Sequence, residues 1–327
     1  MVANLESGTV VILGDACVDM VVKSDRDSTG KELKTRPELT CGGSAANTAM
    51  ILSQLGVSVA FVGAVGRDAF GNIVTGSLSA SGVDISKLIQ IDNAYTTVVI
   101  AVVYFDGTHT MKGWPVDGGA DLMLESSHGD ISVFNNPIWL HSTGLSIVKD
   151  PARETVLRAM YCARSEGVPV SFDLNMHGSL GHIDGVLKSQ YEHDLREAIE
   201  LSDCVFGSAS DEIALLYPNE NMNQAARELA GMNRTAISRR GELAAICVSG
   251  RELIESKPFQ VDTVDAIGAG DAFNAGFIAA QLEGLSIDRS LQWGHATAGL
   301  SIKTVGSGGK FNRTDVLRFI EQQSKLV

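Results

Sequence analysis

The sequence has no excess of positive charge of the kind that nucleic-acid partners require. It carries 26 lysines and arginines against 39 aspartates and glutamates, for a net charge of −13. Proteins that bind nucleic acid or anionic lipid typically present a basic patch. We therefore expect neither nucleic acid nor a membrane as a partner, although a few local bases or main-chain amides can still bind an anionic substrate.

The cysteines form no C-x-x-C pair, so we expect neither a disulfide framework nor a zinc site. They are odd in number and widely scattered: Cys17, Cys41, Cys162, Cys204 and Cys247. The first apolar stretch, TVVILGDACVDMVV, has no basic leader and is interrupted by Asp15 and Asp19. It suits neither a signal peptide nor a membrane span. These features predict a cytoplasmic protein with reduced thiols.

Several common catalytic fingerprints are also missing. The chain has no G-x-x-x-x-G-K-[ST] phosphate loop, no H-E-x-x-H zinc motif and no G-x-S-x-G nucleophile elbow. The stretch GAGDAF ends in Phe273 and so departs from the G-x-G-x-x-G dinucleotide pattern. A flavin- or NAD-binding oxidoreductase therefore has little support, and a lack of cofactor absorbance would dispose of it.

The chain does contain segments with the periodicity of β-strands that alternate with segments of helical periodicity. Short β-branched runs such as TVVILG, VAFVGAVG and VPVSFDLN alternate with helical stretches. The clearest helical stretch has a candidate N-cap at Asp150, Pro151 at its first position and Gly167 at its end. Buried strands between helices predict a mostly parallel sheet covered on both faces. No composition shift marks a second domain, so we expect a single domain over residues 1–327.

Two regions break this alternation. Met20 to Thr40 is polar and has no helical face, whereas Ala94 to Trp114 alternates and turns at Asp106-Gly107 like a hairpin. These segments are candidates for a small β flap beside the main sheet.

The stretch VDTVDAIGAGDAFNAGF places three small residues, Gly268, Ala269 and Gly270, before Asp271 and an amphipathic segment. The N-terminus of a helix attracts anions, and small residues let the backbone approach a phosphate closely. A carboxylate beside that phosphate suits the base that takes a proton from an attacking hydroxyl. An aspartate that only caps its own helix is the alternative.

Three further motifs precede this stretch: ILGDACVDM, CGGSAANTAMILSQLG and FVGAVGRDAFGNIVTGSLSASGVD. Together the four resemble the ribokinase-like (PfkB) carbohydrate kinase family, from Val10 to about Phe319. The resemblance implies an α/β protein with a three-layer α/β/α fold, a mostly parallel central sheet and a small β lid from residues 16–41 and 94–115. It also implies transfer of the γ-phosphoryl group of ATP, with Mg²⁺, to a hydroxyl of a small sugar.

The resemblance assigns Asp271 as the catalytic base and the amides of Gly268 to Asp271 as an anion hole. The residues that it implies for sugar binding are Asp19, Gly42, Gly43 and Asn47. A carboxylate, close backbone amides and a side-chain amide suit vicinal hydroxyls. From the residues alone, a solvent-facing Asn47 and an ordinary turn at the two glycines are the alternatives.

The nucleotide side departs further from the family. The residues that the resemblance implies there are Ser208, Arg240, Gly241 and His295. Relatives carry N-x-x-E where this chain has Ser208 and Asp211, and Glu212 is adjacent, so the acid on the Mg²⁺ side is ambiguous by one residue. RRGELA replaces T-x-G-x-x-G, and its two arginines either reach phosphates or are exposed loop residues. A histidine that only packs on its helix is the alternative for His295.

A monovalent-cation site is the last element that the resemblance implies. The corresponding positions are Asp265, Ile267, Ser301, Thr304 and Gly306. In relatives such a site is formed by main-chain oxygens, and we hypothesise that K⁺ stimulates the enzyme by ordering this loop.

The substrate is the least determined feature. Gly144 stands where ribokinases generally carry a glutamate, which disfavours ribose. FDLNMHG keeps Asp173 and Asn175 but has His177 in place of an arginine that is frequent in fructokinase and 2-keto-3-deoxygluconate kinase relatives. An acidic sugar requires an arginine or several lysines nearby. The only nearby candidates, which are more often solvated, are Lys23, Lys34, Arg36 and Lys112.

A neutral sugar, such as the ketohexose fructose, is therefore favoured. Kinases of 2-keto-3-deoxygluconate, ribose or a nucleoside remain alternatives, because an aromatic content of 6% only slightly disfavours base stacking. A non-catalytic sensor of sugar or nucleotide is a further alternative. The run VVIAVVYF is apolar on both faces, as in a lid strand covered by a partner or in a central strand. Many relatives dimerise lid to lid, so we expect a homodimer.

Overall fold

The computed structural model describes residues 8–24, 37–104, 109–134, 136–176, 181–183, 186–304, 306 and 309–324. Five residues named above lie outside these ranges: Asp106 and Gly107 of the expected turn, Lys34, Arg36 and His177.

A nine-stranded sheet dominates the part of the chain that the structure describes. Seven adjacent strands, from Asp84–Ile91 at one edge to Thr235–Arg239, pair in parallel. Two further strands, Ala245–Ser249 and Glu252–Ser256, extend the sheet in antiparallel pairing. The mostly parallel sheet predicted from the sequence is thus confirmed. In spatial order the strands are β15 (Glu252–Ser256), β14 (Ala245–Ser249), β13 (Thr235–Arg239), β12 (Cys204–Ser208), β9 (Val170–Asp173), β8 (Pro137–Thr143), β1 (Thr9–Leu13), β4 (Val59–Gly66) and β5 (Asp84–Ile91).

Helices cover both faces of this sheet. Successive side chains of β1 point to opposite faces, with Val10 and Ile12 in one buried cluster and Val11 and Leu13 in the other. The first cluster contains side chains of α1, α2, α7, α8 and α9, and the second contains side chains of α3, α4 and α6. This is the three-layer α/β/α arrangement. The helices are α1 (Ser44–Gln54), α2 (Ala69–Ala80), α3 (Ala152–Ser165), α4 (Ser189–Glu200), α5 (Ala214–Leu216), α6 (Met222–Ala230), α7 (Ala269–Leu282), α8 (Ile287–Ser301) and α9 (Arg313–Ser324).

The start of α3 differs from the prediction by one residue. Pro151 occupies the N-cap position and the helix begins at Ala152. The carboxylate of Asp150 instead pairs with Arg153, at 2.7 Å between Oδ2 and Nη2. The ion pair with the first turn replaces the side-chain cap. Gly167 follows the helix with a φ of 73°, as expected for the residue that ends it.

The two segments that break the α/β rhythm join in a second sheet of four strands. Their order is β3 (Glu38–Gly42), β2 (Cys17–Ser24), β6 (Thr97–Tyr104) and β7 (His109–Trp114). Strand β6, which contains the apolar run VVIAVVY, lies between β2 and β7 and is a central strand of this small sheet. We call this sheet the lid. A further short hairpin pairs β10 (His182–Ile183) with β11 (Val186–Leu187).

None of the helices within the described ranges is long and apolar enough to cross a membrane.

Candidate active site

Polar side chains gather at the carboxyl edge of the parallel strands. Asp173 ends β9, Ser208 ends β12 and Arg239 ends β13, while Asp15 follows β1 by two residues. Because parallel strands present their carboxyl ends at one edge of the sheet, these residues share one side of the molecule. Helix α7 begins at the same edge and packs against α1.

The start of α7 is built from the small residues singled out in the sequence. Gly268 is the N-cap, in the left-handed region with a φ of 76°, which glycine adopts without strain. Among the described residues, no side chain caps this helix. The amide of Ala269 donates to the carbonyl oxygen of Ala266 at 3.3 Å, which leaves the amides of Gly270 and Asp271 available to an anion, and Asp271 in the first turn does not serve as a cap.

The carboxylate of Asp271 is buried and held by α1. The hydroxyl of Ser44 donates to Oδ1 at 2.5 Å, and Nδ2 of Asn47 donates to Oδ2 at 2.8 Å. Asn47 is 3% exposed, so it does not face solvent. Ser44 was not singled out from the sequence, because a serine at a helix start usually serves as a local cap.

The electrostatic surroundings of Asp271 make it a weak acid. Its pKa is raised to about 7, mainly by burial and also by Asp173, although the bonds from Ser44 and Asn47 and the charge of Arg239 lower it. A carboxyl group that titrates near neutrality suits general-base chemistry at physiological pH.

Asp15 organises the start of α1 from outside the helix. The amides of Ser44 and Ala45 donate to its carboxylate at 2.7 and 3.3 Å, and the hydroxyl of Thr143 donates to Oδ1 at 2.7 Å. Gly43, the N-cap, has a φ of 96°. A side-chain carbon on Gly43 would lie 2.8 Å from Cα of Ala16 and from the carbonyl oxygen of Asp15. The close packing therefore requires glycine.

Asp19 lies on the lid and faces the same corner. A side-chain carbon on Gly42 would come within 2.3 Å of its Oδ2, so the carboxylate rests against that backbone. Burial raises the pKa of Asp19 to about 6, with smaller contributions from Asp265 and Asp15, while the thiol of Cys17 lowers it. The structure thus brings Asp19 to Gly42 and Gly43, which lead directly into the helix that carries Asn47.

A cleft of about 1440 Å³ opens beside the first turn of α7. Ala269 and Gly270 lie on one wall, next to Phe273 of the same helix. The cleft also contains every residue that the sequence assigns to the nucleotide side: Ser208, Asp211, Arg240, Gly241 and His295. A groove of this size can hold a nucleotide next to the free amides of α7.

His295 lines the cleft and is also packed. Its Nε2 lies 3.0 Å from the carbonyl oxygen of Ser256, and its ring meets Phe273 edge to face at 5.1 Å between centroids. Burial lowers its pKa to about 4, so the neutral ring donates this hydrogen bond from Nε2. His295 therefore both lines the cleft and packs on its neighbours, while its contact with a nucleotide stays a prediction.

The neighbouring acids Asp211 and Glu212 both lie in a π-helix, Ala209–Ile213, but differ in exposure. Asp211 is exposed and accepts a hydrogen bond of 3.0 Å from the hydroxyl of Ser208. Glu212 is 1% exposed and accepts from the amides of Met176, at 3.0 Å, and Ser208, at 2.6 Å. Both acids line the cleft.

The sequence allowed Arg239 to be an exposed loop residue, but it is the last residue of β13 and is largely buried. Its side chain is 17% exposed, and it donates to both oxygens of Asp173 at 2.7 and 2.9 Å and to Oδ1 of Asn274 at 3.0 Å. Nδ2 of Asn274 donates in turn to Asp173 at 2.6 Å. Arg240 donates to the carbonyl oxygen of Ala244 at 3.3 Å. The family motif T-x-G-x-x-G has a threonine where this chain has Arg239, so the sequence gave no signal for this network.

The two halves of the candidate cation loop meet through Asp265. Its carboxylate accepts from the amides of Ile267 and Gly306, each at 3.0 Å. The hydroxyl of Ser301 donates to the carbonyl oxygen of Ala298 at 2.8 Å, and that of Thr304 donates to Ser301 at 3.3 Å. These side chains stay within their own turn, which leaves main-chain oxygens as the groups that a monovalent cation would use.

A three-layer α/β/α fold with a β lid, a free helix N-terminus and a buried acid beside a nucleotide-sized cleft defines a ribokinase-like kinase. Residues 7–314 match the model of the pfkB family carbohydrate kinases. The chain belongs to this family and is an ATP-dependent carbohydrate kinase.

Curated relatives cover most of the chain. The fructokinase of Escherichia coli is 31% identical over 289 residues, which are 86% of this chain and 87% of that protein. The 5-dehydro-2-deoxygluconokinase of Clostridium beijerinckii is 26% identical over 87% of this chain and 85% of its own length.

Solved structures share the fold. A fructokinase from Xylella fastidiosa with bound ATP superposes with a TM-score of 0.83 at 23% identity, covering 97% of this chain and 99% of that one. A double mutant of the fructokinase of Vibrio cholerae O395, bound to fructose, ADP and a potassium ion, gives a TM-score of 0.79 at 23% identity over 96% and 98% of the chains.

Proposed function

We propose that this enzyme phosphorylates a neutral ketohexose such as fructose, with Asp271 as the base. The proposal rests on the buried carboxylate of Asp271, which lies in the first turn of α7. Ser44 and Asn47 of α1 hold this carboxylate by hydrogen bonds. It adjoins the sugar-side loop through α1 and the nucleotide cleft through Ala269 and Gly270.

In this mechanism the sugar lies against Asp19, Gly42, Gly43 and Asn47. Asp271 accepts the proton of the sugar hydroxyl as that oxygen attacks the γ-phosphorus atom of ATP. The amides of Gly268, Ala269, Gly270 and Asp271 donate to the γ-phosphoryl oxygens and stabilise their growing charge. Lid closure over the sugar excludes water and so limits hydrolysis of ATP.

The nucleotide lies in the cleft with Ser208, Arg240, Gly241 and His295. The exposed carboxylate of Asp211 is suited to the water shell of Mg²⁺, which when bound neutralises charge on the phosphates. The loop tied together by Asp265 suits K⁺, held by main-chain oxygens of Asp265, Ile267, Ser301, Thr304 and Gly306. A potassium ion is bound in the Vibrio cholerae relative, and the Asp265 bonds to Ile267 and Gly306 support a similar loop here.

The charge around the sugar side supports a neutral substrate. The pKa of the buried Cys17 thiol is raised well above its usual value, first by burial and then by three nearby carboxylates, those of Asp19, Asp15 and Asp121. A carboxylated or phosphorylated sugar would be repelled by this group of acids. A fructokinase function therefore fits better than a 5-dehydro-2-deoxygluconate or 2-keto-3-deoxygluconate kinase.

We further propose one domain over residues 1–327, a homodimer formed through the lid, and a cytoplasmic location. The lid exposes large apolar side chains, with Leu39 at 41%, Met111 at 48% and Trp114 at 42%. A second copy that covers them would remove this surface from water. Sedimentation of Trp114→Glu as a monomer beside a dimeric parent would support the interface. All five cysteines are free thiols, which suits a reducing compartment.

The test is ADP release with ATP, Mg²⁺ and K⁺ on a panel of fructose, ribose, 2-keto-3-deoxygluconate, tagatose 6-phosphate and adenosine, with a blank that lacks acceptor. We expect fructose to exceed the blank and the anionic sugars to match it. A flat panel with ATP still bound would favour a sensor. Asp271→Asn should lose about 10²–10⁴ in rate, while Asp288→Asn, an exposed acid in the first turn of α8, serves as the matched control.

A further inference from the structure

Arg239 lies directly beneath the first turn of α7. A side-chain carbon on Gly270 would lie 2.7 Å from Nη1 of Arg239, so the guanidinium group packs against the backbone of the candidate anion hole. Its bonds to Asp173 and to Asn274, one turn further along α7, fix the orientation of the guanidinium plane. An arginine fork held on two sides in this way cannot swing out as a flexible surface side chain does.

Three buried carboxylates surround this one cation. Asp173 is 1% exposed, Glu212 is 1% exposed and Asp271 is 8% exposed. Oε2 of Glu212 lies 3.8 Å from Nη2 of Arg239. His141 also lies within electrostatic range of Asp173 and Arg239, but burial lowers its pKa to about 4, so it adds no positive charge at neutral pH. The remaining groups on Asp271 are the uncharged donors Ser44 and Asn47.

We propose that Arg239 is a positioning residue of the phosphoryl-transfer site, which fixes the first turn of α7 and places a positive charge near Asp271. This inference rests on the proposed role of Asp271 as the base. It extends that role to the side chain that ends β13, which also lines the cleft.

Arg239 and Asp173, which form an ion pair, should change the pKa of Asp271 in opposite directions. Asp173 raises the pKa of Asp271 and Arg239 lowers it. In the pH profile of kcat/KM, loss of Arg239 should therefore move the acid limb to higher pH, since Asp271 then needs a higher pH to ionise. Loss of the Asp173 charge should move the same limb to lower pH. A role confined to packing would slow both variants without moving the limb.

The experiment measures kcat/KM for the sugar between pH 5.5 and about pH 9 in the parent, Arg239→Gln, Arg239→Lys and Asp173→Asn. We expect the acid limb of Arg239→Gln to rise by about a third of a pH unit, because Arg239 has the smallest of the effects on Asp271. This corresponds to a loss of about twofold below the limb that largely disappears at high pH. Arg239→Lys keeps the charge, so its limb should stay near that of the parent while kcat falls.

Arg234→Gln is the matched control, because Arg234 precedes the same strand, is 12% exposed and pairs with Glu200 at 2.6 Å. Its limb should coincide with that of the parent. An unmoved limb in a folded Arg239→Gln, checked by thermal unfolding, would overturn the inference. If that variant does not fold, a limb in Asp173→Asn that stays or rises would overturn it as well. A parent that turns over no sugar would instead refute the proposed function.

Discussion

The hydroxyl of Ser44 donates a hydrogen bond of 2.5 Å to Oδ1 of Asp271, across 227 positions of sequence. The contact joins the first residue of α1 to the first turn of α7. Since α1 follows the Gly42-Gly43 loop and α7 follows the small residues that flank the cleft, this one bond couples the two sides between which a phosphoryl group would pass.

Removing this hydroxyl should reduce the fraction of Asp271 that is ionised near neutral pH. The Ser44 bond lowers the pKa of Asp271, so Ser44→Ala should raise that pKa and move the acid limb of kcat/KM upward by about half a unit or more. At pH 6.5 we expect a loss of about threefold or more that shrinks at high pH. Ser53→Ala, on the same helix, removes only a bond to the carbonyl oxygen of Ser81, and a similar shift there would contradict the explanation.

Replacing Asp271, the proposed base, with a neutral residue should stabilise the fold at alkaline pH. The folded-state pKa of Asp271 is about 7 against an ordinary 3.8, so the folded state favours the protonated acid and loses stability as pH rises between these values. Three units correspond to about 4 kcal/mol. Asp271→Asn avoids that cost but forfeits the bond from Asn47, so we expect a gain of about 2 kcal/mol in the free energy of unfolding at pH 8. Denaturant titrations at pH 5 and pH 8 measure it, and an equal difference at both values would contradict it.

Gly43 and Gly56 both have a positive φ, so alanine variants of the two allow the effect of backbone strain to be distinguished from that of steric crowding. Gly56 has a φ of 87° and open space where a side chain would go, whereas Gly43 has a φ of 96° and contacts closer than 3 Å. Gly56→Ala should lower the free energy of unfolding by about 1–2 kcal/mol, from the left-handed conformation alone. Gly43→Ala should lower it by about 3 kcal/mol or more, because the start of α1 must also shift. Comparable losses in chemical denaturation would exclude crowding as the reason for glycine at Gly43.

His295 should make the fold sensitive to acid. Its folded-state pKa is about 4 against an ordinary 6.5. The unfolded chain therefore binds the proton more readily, and stability is lost as pH falls from 6.5 toward 4. At pH 5 this amounts to about 2 kcal/mol. Thermal unfolding of His295→Gln should show a shallower decline between pH 7 and pH 5 than the parent, while His193→Gln, which changes an exposed histidine, should follow the parent.

The sequence predicted the parts of the site that depend on local backbone. The small residues before Asp271 indicated a free helix N-terminus, because only such residues let a phosphate approach, and Gly268 does adopt the left-handed conformation. The β-branched runs likewise predicted the parallel sheet. These features follow from a few consecutive residues.

The contacts that cross the molecule could not be predicted in this way. Arg239 looked like a loop residue because nothing in RRGELA reveals that β13 ends beside Asp173. The orientation of Glu212 depends on a π-helical turn, for which a single sequence carries no signal. Ser44 resembles an ordinary helix-start serine, and only the packing of α1 on α7 reveals its partner.

The packing of α1 on α7 also has a consequence for synthesis. The ribosome releases the lid and α1 early, whereas α7 emerges only after all nine strands of the main sheet have been made. Domains generally assemble as units as the chain leaves the exit tunnel. A nascent chain therefore carries the residues proposed to bind sugar long before it carries the proposed base, so we expect ribosome-bound chains that lack α7 to transfer no phosphate.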